Sequence, residues 1–183
     1  MLSIVCALSE RKCKMVTTVK SKKESLRPKI DVLLARAAQQ WYVGLLRSAF
    51  RLFFAAAKLG DVTAQLNLGY CYDLGIGVRP NRSAALQWYK LAYRQGQSCA
   101  ASNIGTIFRD EGDTRQALAW FERAVRLGDV EANLEIAKIY IGEKNQVVKA
   151  IRCLKRVIEA KARLDVTVAS KEEAQRLLKK YSA

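Results

Sequence analysis

Three stretches of the chain place apolar, small and polar residues in the same order. DVTAQLNLGYCY (61–72), QSCAASNIGTIF (97–108) and DVEANLEIAKIY (129–140) share an alanine at Ala64, Ala100 and Ala132 and an aliphatic side chain at Leu68, Ile104 and Ile136. A small residue follows at Gly69, Gly105 and Ala137, then an aromatic ring at Tyr72, Phe108 and Tyr140. Alanine, aliphatic and ring recur four apart, the spacing that lines one face of an α-helix. A second block repeats downstream as AALQWYKLAYRQG (84–96), QALAWFERAVRLG (116–128) and KAIRCLKRVIEAK (149–161), aligning Trp88 with Trp120 and Cys153, and Ala92 with Ala124 and Val157. Each unit is predicted to be a helix hairpin. The first blocks begin 36 and then 32 residues apart, a period typical of stacked helical repeats. The expected fold is all-α, a right-handed α-solenoid of stacked antiparallel helix hairpins, in which the small column lets neighbouring helices approach and the aromatic columns fill the core.

The turn inside the first unit, DLGIGVRPNRSAA, has the look of a phosphate-cradling glycine loop. It fails that test, because it follows a helix pattern instead of a strand and no Gly-Lys-Ser/Thr follows. The second unit holds the shorter DEGDTRQA at the same place. Gly75 and Gly77 are therefore predicted to end one helix and reverse the chain. Asn81, Asp113 and, within a residue of register, Asn145 are predicted N-caps of the second helices. The acidic group Asp110, Glu111 and Asp113 lacks the spacing of a calcium loop and is expected to belong to such a cap turn.

Upstream, IDVLLARAAQQWY (30–42) and SAFRLFFAAAKLG (48–60) form a degenerate capping hairpin over 29–60, the alternative being a helix lying on a membrane surface. Repeats are expected at 61–96, 97–128 and 129–161, with a C-terminal capping helix in 162–183. That helix is predicted to open with a capping box, Ser170 and Glu173, and to present Ala174, Leu177, Leu178 and Tyr181 on one face. Residues 1–28 are expected to be a basic, disordered tail ending near Pro28. Their start, MLSIVCAL, lacks the basic region and cleavage site of a signal peptide, and Met15 would serve as an alternative start to Met1.

Half of the 183 residues are apolar, enough for a packed core. The net charge is +15, with eight Lys or Arg against Glu10 and Glu24 in the first 30 residues. Such a tail binds phosphates by counterion release, so nucleic acid is a candidate partner, as is an anionic membrane. There is no histidine, which excludes a histidine base, a histidine pH switch and most zinc sites. The five cysteines form an odd set without a CxxC pair, an arrangement expected of a cytoplasmic protein with free thiols, where the Asn81-Arg82-Ser83 acceptor pattern goes unused. No stretch is long enough to span a bilayer. No catalytic residue, cofactor or metal site emerges, and a possible homodimer contact is the Phe50, Phe53 and Phe54 cluster.

The run LGYCYDLGIGVRPNRSAALQWYKLAYRQG resembles the Sel-one-like repeat, a relative of the tetratricopeptide repeat, at Ala64, Leu68, Gly69, Tyr72, Gly75, Gly77, Val78, Ala85, Trp88, Tyr89, Lys90, Ala92 and Gly96. Asn81 replaces the family's aspartate, the second unit lacks the glycine turn, and the third lacks both the Trp and the final glycine. The resemblance covers about residues 61–161 and implies a non-enzymatic scaffold or adaptor that binds a protein or peptide partner along the concave surface formed by its first helices. Residues one and four beyond the small column would face that groove: Tyr70 and Asp73, Thr106 and Arg109, Lys138 and Ile141, with Asn67 and Asn103 at its border. Arg109 and Lys138 are then the expected grips for an acidic segment of the partner.

Overall fold

A computed structural model describes residues 24–143, 146–160 and 166–182, and these residues fold into nine helices. They are α1 (24–42), α2 (Leu46–Lys58), α3 (Val62–Leu74), α4 (Arg82–Arg94), α5 (Ser98–Asp110), α6 (Thr114–Arg126), α7 (Ala132–Gly142), α8 (Val147–Glu159) and α9 (Val168–Tyr181). From α2 onward each helix packs on the next in chain order, the local connectivity of a solenoid.

Helix starts follow side-chain chemistry. The Ala64 N–H donates to Asp61 Oδ1 at 2.7 Å, Ala84 N–H to Asn81 Oδ1 at 2.9 Å, and Gln116 N–H to Asp113 Oδ1 at 2.9 Å. Each bond satisfies a donor that the first turn of a helix leaves unpaired. Helix α8 follows Gln146, which makes no side-chain cap bond, and Asn145 lies outside the described residues. Helix α9 begins earlier than the capping box implies. Thr167, in extended backbone, accepts the Ser170 N–H at 3.1 Å, so Ser170 lies inside the first turn and Glu173 turns to Lys138 instead. At the other end, helix α1 already includes residues 24–28, so Pro28 falls within a helix and the boundary expected there is displaced.

The double glycine has two separate causes. Gly75 closes α3 in the left-handed region at φ 73°, where a Cβ would also meet Pro80 Cγ at 2.6 Å. Gly77, at φ 71°, lies against the first turn of α2, and a Cβ there would run into the Leu46 carbonyl. The turn therefore seals the first repeat onto the hairpin before it.

The small column works as predicted from close approach. Tyr89 and Phe121, both almost fully buried, lie over Gly69 and Gly105, where an added Cβ would stand 2.5 Å and 2.8 Å from the rings. The third unit has Ala137 and Leu154 at these register positions, both fully buried. A smaller side chain faces a larger floor.

Contacts between units sort the helices into two layers. Side-chain ion pairs link the first helices α5, α7 and α9, whereas ring contacts link the second helices: Phe54 of α2 with Trp88 of α4, and Tyr93 of α4 with Trp120 of α6. The aromatic cluster expected at a homodimer contact is part of this packing. Phe53 is buried, and Phe50 and Phe54 are half-buried against Tyr72 and Trp88. The phenylalanines of α2 thus pack against the protein's own helices. Among the described residues no helix is long and apolar enough to cross a membrane.

Charge divides along the same layers. Helices α2, α4, α6 and α8 carry 13 Lys or Arg against Glu122 and Glu159, while α3, α5 and α7 carry Arg109 and Lys138 against Asp73, Asp110 and Glu135. Much of the basic excess therefore sits on the second-helix layer, in addition to the front-loaded tail.

Candidate functional site

The expected groove residues lie along α3, α5 and α7, and they divide into an apolar end and a charged end. At the apolar end Asn67 and Tyr70 line a cleft of about 440 Å³ with Ala38, Trp41, Tyr42 and Phe53. Trp41 holds its shape, with ring centroids 6.1 Å from Phe53 and 6.5 Å from Tyr70. Tyr42 is 91% exposed and Tyr70 42% exposed, a large aromatic surface for one location.

In the middle stand Asp73, Asn103 and Thr106, all half-buried. Burial pushes the Asp73 carboxyl above its ordinary range, with Arg82 opposing and Asp110 adding to the shift. Burial drives the ionisation of the neighbouring Tyr89 upward, with Asp73 and Tyr70 adding to the shift and Asn103 opposing it. Thr106 borders a small cavity with Ser102, Asp129 and Glu135.

At the charged end Arg109 and Lys138, the expected grips for an acidic segment, already meet carboxylates of the protein itself. Arg109 pairs with Asp110 Oδ1 at 2.9 Å and with Glu135 Oε2. Lys138 reaches Glu135 Oε1 at 2.9 Å and Glu173 Oε1 at 3.3 Å, and Arg176 stands 3.8 Å from Glu173. Burial works against the charge of Arg109 and of Lys138, yet these carboxylates outweigh it and raise both above their ordinary values. The result is a ladder of alternating charge across α5, α7 and α9. Glu135 is its centre, and sequence reasoning missed it although the signal was present: it stands two positions before the small column, like Asn67 and Asn103. Ile141 is half-buried and packs against the core.

Nearby, Glu131 ties the last helix to the third repeat. Burial alone would raise its carboxyl, but the Thr167 N–H at 2.5 Å, with the Ser170 and Thr167 hydroxyls, holds it below the ordinary range. Among the described residues no cluster of Cys, Asp or Glu is placed to hold a metal ion.

This architecture defines a helical-repeat solenoid with an extended side-chain surface along its first helices. A family model described as Sel1 repeat matches residues 46–61, 62–97 and 104–129, and these repeats belong to that family, whose members are generally protein-interaction modules. The chain is 32% identical over 85 residues to a sel1-like repeat-containing protein of Acanthamoeba polyphaga mimivirus, covering 46% of this chain and 16% of that protein. It is 32% identical over 65 residues to DAP3-binding cell death enhancer 1 of Rattus norvegicus, covering 36% and 13% respectively. The chain thus spans less than a fifth of the length of these relatives. Among solved structures it is similar to the Sel1 repeat protein from Oxalobacter formigenes, with a TM-score of 0.58 at 25% identity over 90% of this chain and 69% of that one.

Proposed function

We propose that this protein is a non-catalytic adaptor whose first-helix surface holds a segment of a protein partner. The observation that carries the reading is the aromatic cleft of Trp41, Tyr42, Phe53 and Tyr70 at the apolar end of that surface. Exposed rings in a preformed cleft are the features that anchor binding energy in interfaces. The occupant is a segment with an apolar or aromatic anchor for the cleft, followed by polar residues along Asp73, Thr106, Arg109 and Lys138. An acidic side chain of the partner would exchange with Glu135 for Arg109, a swap of one charge-assisted pair for another. The name of the rat relative, which records binding to DAP3, is in keeping with a protein partner.

The test is affinity capture from nuclease-treated lysate with the full chain and with Tyr70→Ala and Arg109→Glu. The expected result is a specific protein that Tyr70→Ala loses and Arg109→Glu weakens. Retention of the same protein by both variants at full yield would refute the groove. A second reading, binding of a polyanion such as nucleic acid, is favoured by the 13 basic residues on the second-helix layer. The first 23 residues, where much of the tail's charge lies, are outside the described residues.

A further inference from the structure

The third repeat breaks the aromatic pattern at a place where the structure opens. In the second-helix layer Trp88 packs on Phe54 and Trp120 packs on Tyr93, with ring centroids 6.1 Å and 5.2 Å apart. The same register position in α8 is Cys153, and beside it lies a cavity of about 330 Å³ between α6, α7 and α8. The indole that fills the seam in the other repeats has no counterpart here.

What surrounds this slot is chemically specific. Lys149, Arg152 and Arg156 line it from α8, three and four residues apart on one face, and Arg126 lines it from α6. Among the described residues none of these four makes an ion pair. Glu122 is the one acidic side chain in the lining. Their charge is felt within the slot: burial raises the Cys153 thiol, while Arg156 and Arg152 pull it down.

The neighbouring repeat shows how such a slot is filled. Arg123 lies over the Trp120 ring at 4.3 Å, and Arg156 occupies the register position of Arg123. A planar ring seated beside Cys153 would lie beneath Arg156 as Trp120 lies beneath Arg123, with Tyr140 also lining the slot. Asn133 lines the slot as well. It is 3% exposed, its amide donates to the Val130 carbonyl at 3.0 Å, and its Oδ1 has no hydrogen-bond partner. A buried acceptor without a donor is costly, and the amino group of a nucleobase would supply one.

We propose that the cavity beside Cys153 binds a nucleotide: a nucleobase in the place of the missing indole, reaching toward Asn133, and its phosphate among Arg126, Lys149, Arg152 and Arg156. The source is either a free nucleotide or a base of a single-stranded RNA. This site lies among α6, α7 and α8 and shares no lining residue with the aromatic cleft or the charge ladder.

The experiment is calorimetric titration of the full chain with AMP, adenosine, inorganic phosphate and an oligoadenylate. AMP is expected to bind about tenfold or more tightly than adenosine or phosphate, because stacking and charge each contribute. Cys153→Trp, which restores the indole of the other repeats, is expected to weaken AMP by about tenfold or more through loss of the stacking slot. Arg152→Glu with Arg156→Glu, at exposed positions that leave the core intact, is expected to do the same through charge. An oligoadenylate that binds more tightly than AMP assigns the site to single-stranded RNA, and equal binding assigns it to the free nucleotide. Inorganic phosphate binding as well as AMP, unchanged AMP binding in Cys153→Trp or in the double charge variant, or no AMP binding at all would each overturn the proposal.

Discussion

Replacing Gly105 by alanine together with Phe121 by leucine tests whether the small column is set by the ring above it. A Cβ at Gly105 would lie 2.8 Å from both Cδ1 and Cε1 of Phe121, inside van der Waals contact. Alanine should add about 1 kcal/mol through helix propensity, while overpacking a tight site costs about 1–3 kcal/mol. Gly105→Ala is therefore expected to destabilise by up to about 2 kcal/mol. Phe121→Leu leaves a partial cavity under a side chain that is 1% exposed, a loss of about 1–2 kcal/mol. The pair reproduces the Ala137 and Leu154 found at these positions in the third repeat, so the new methyl fills part of the space the ring vacates. The double variant should be more stable than the sum of the singles by about 1 kcal/mol or more. Urea unfolding followed by circular dichroism measures the cycle, and in a chain of this size 1 kcal/mol moves Tm by about 2–4 °C. Additivity within about 0.3–0.5 kcal/mol would refute the reasoning, because independent sites behave that way.

Further expectations concern caps and titrating groups. Asn81→Ala removes the acceptor for the Ala84 N–H and should cost about 1 kcal/mol in urea unfolding, a loss that Asn81→Asp avoids. Glu131 has a depressed carboxyl in the folded state, so its stabilisation is fully present above the ordinary carboxylate range and is lost as pH falls through the folded value. Glu131→Gln should therefore lower Tm at neutral pH and lose that effect in acid. Asp73 behaves in the opposite sense: its folded carboxyl is raised, so its charge opposes folding at neutral pH and the penalty is relieved as pH falls. Asp73→Asn should raise Tm at pH 7 and have no effect in acid, and a lower Tm at pH 7 would show that the attraction of the Arg82 charge outweighs burial.

Much of the fold was legible because each unit repeats its own instructions. Columns four apart mark helix faces, Asp or Asn before a helix pattern marks its start, and Gly75 marks an end. All of these act through residues within a turn or two of each other, so they survive in one dimension. The candidate surface was legible only in part. Tyr70, Arg109 and Lys138 fall on α3, α5 and α7, but position relative to the small column could not say what else would reach them. Glu173 comes from the last helix, 35 residues beyond Lys138 in the chain, and it arrives only because α9 packs beneath the third repeat.

The sequence by itself determined the hairpins, their period and the alternation of ring and small residue, since these depend on periodicity and local hydrogen bonding. Tertiary structure decided which charges meet, why Gly77 must lack a side chain against the Leu46 carbonyl, and where Cys153 leaves a cavity. Those outcomes depend on distances between residues far apart in the chain. Coulomb pairing, steric overlap and packing volume act through space, whatever the separation in sequence.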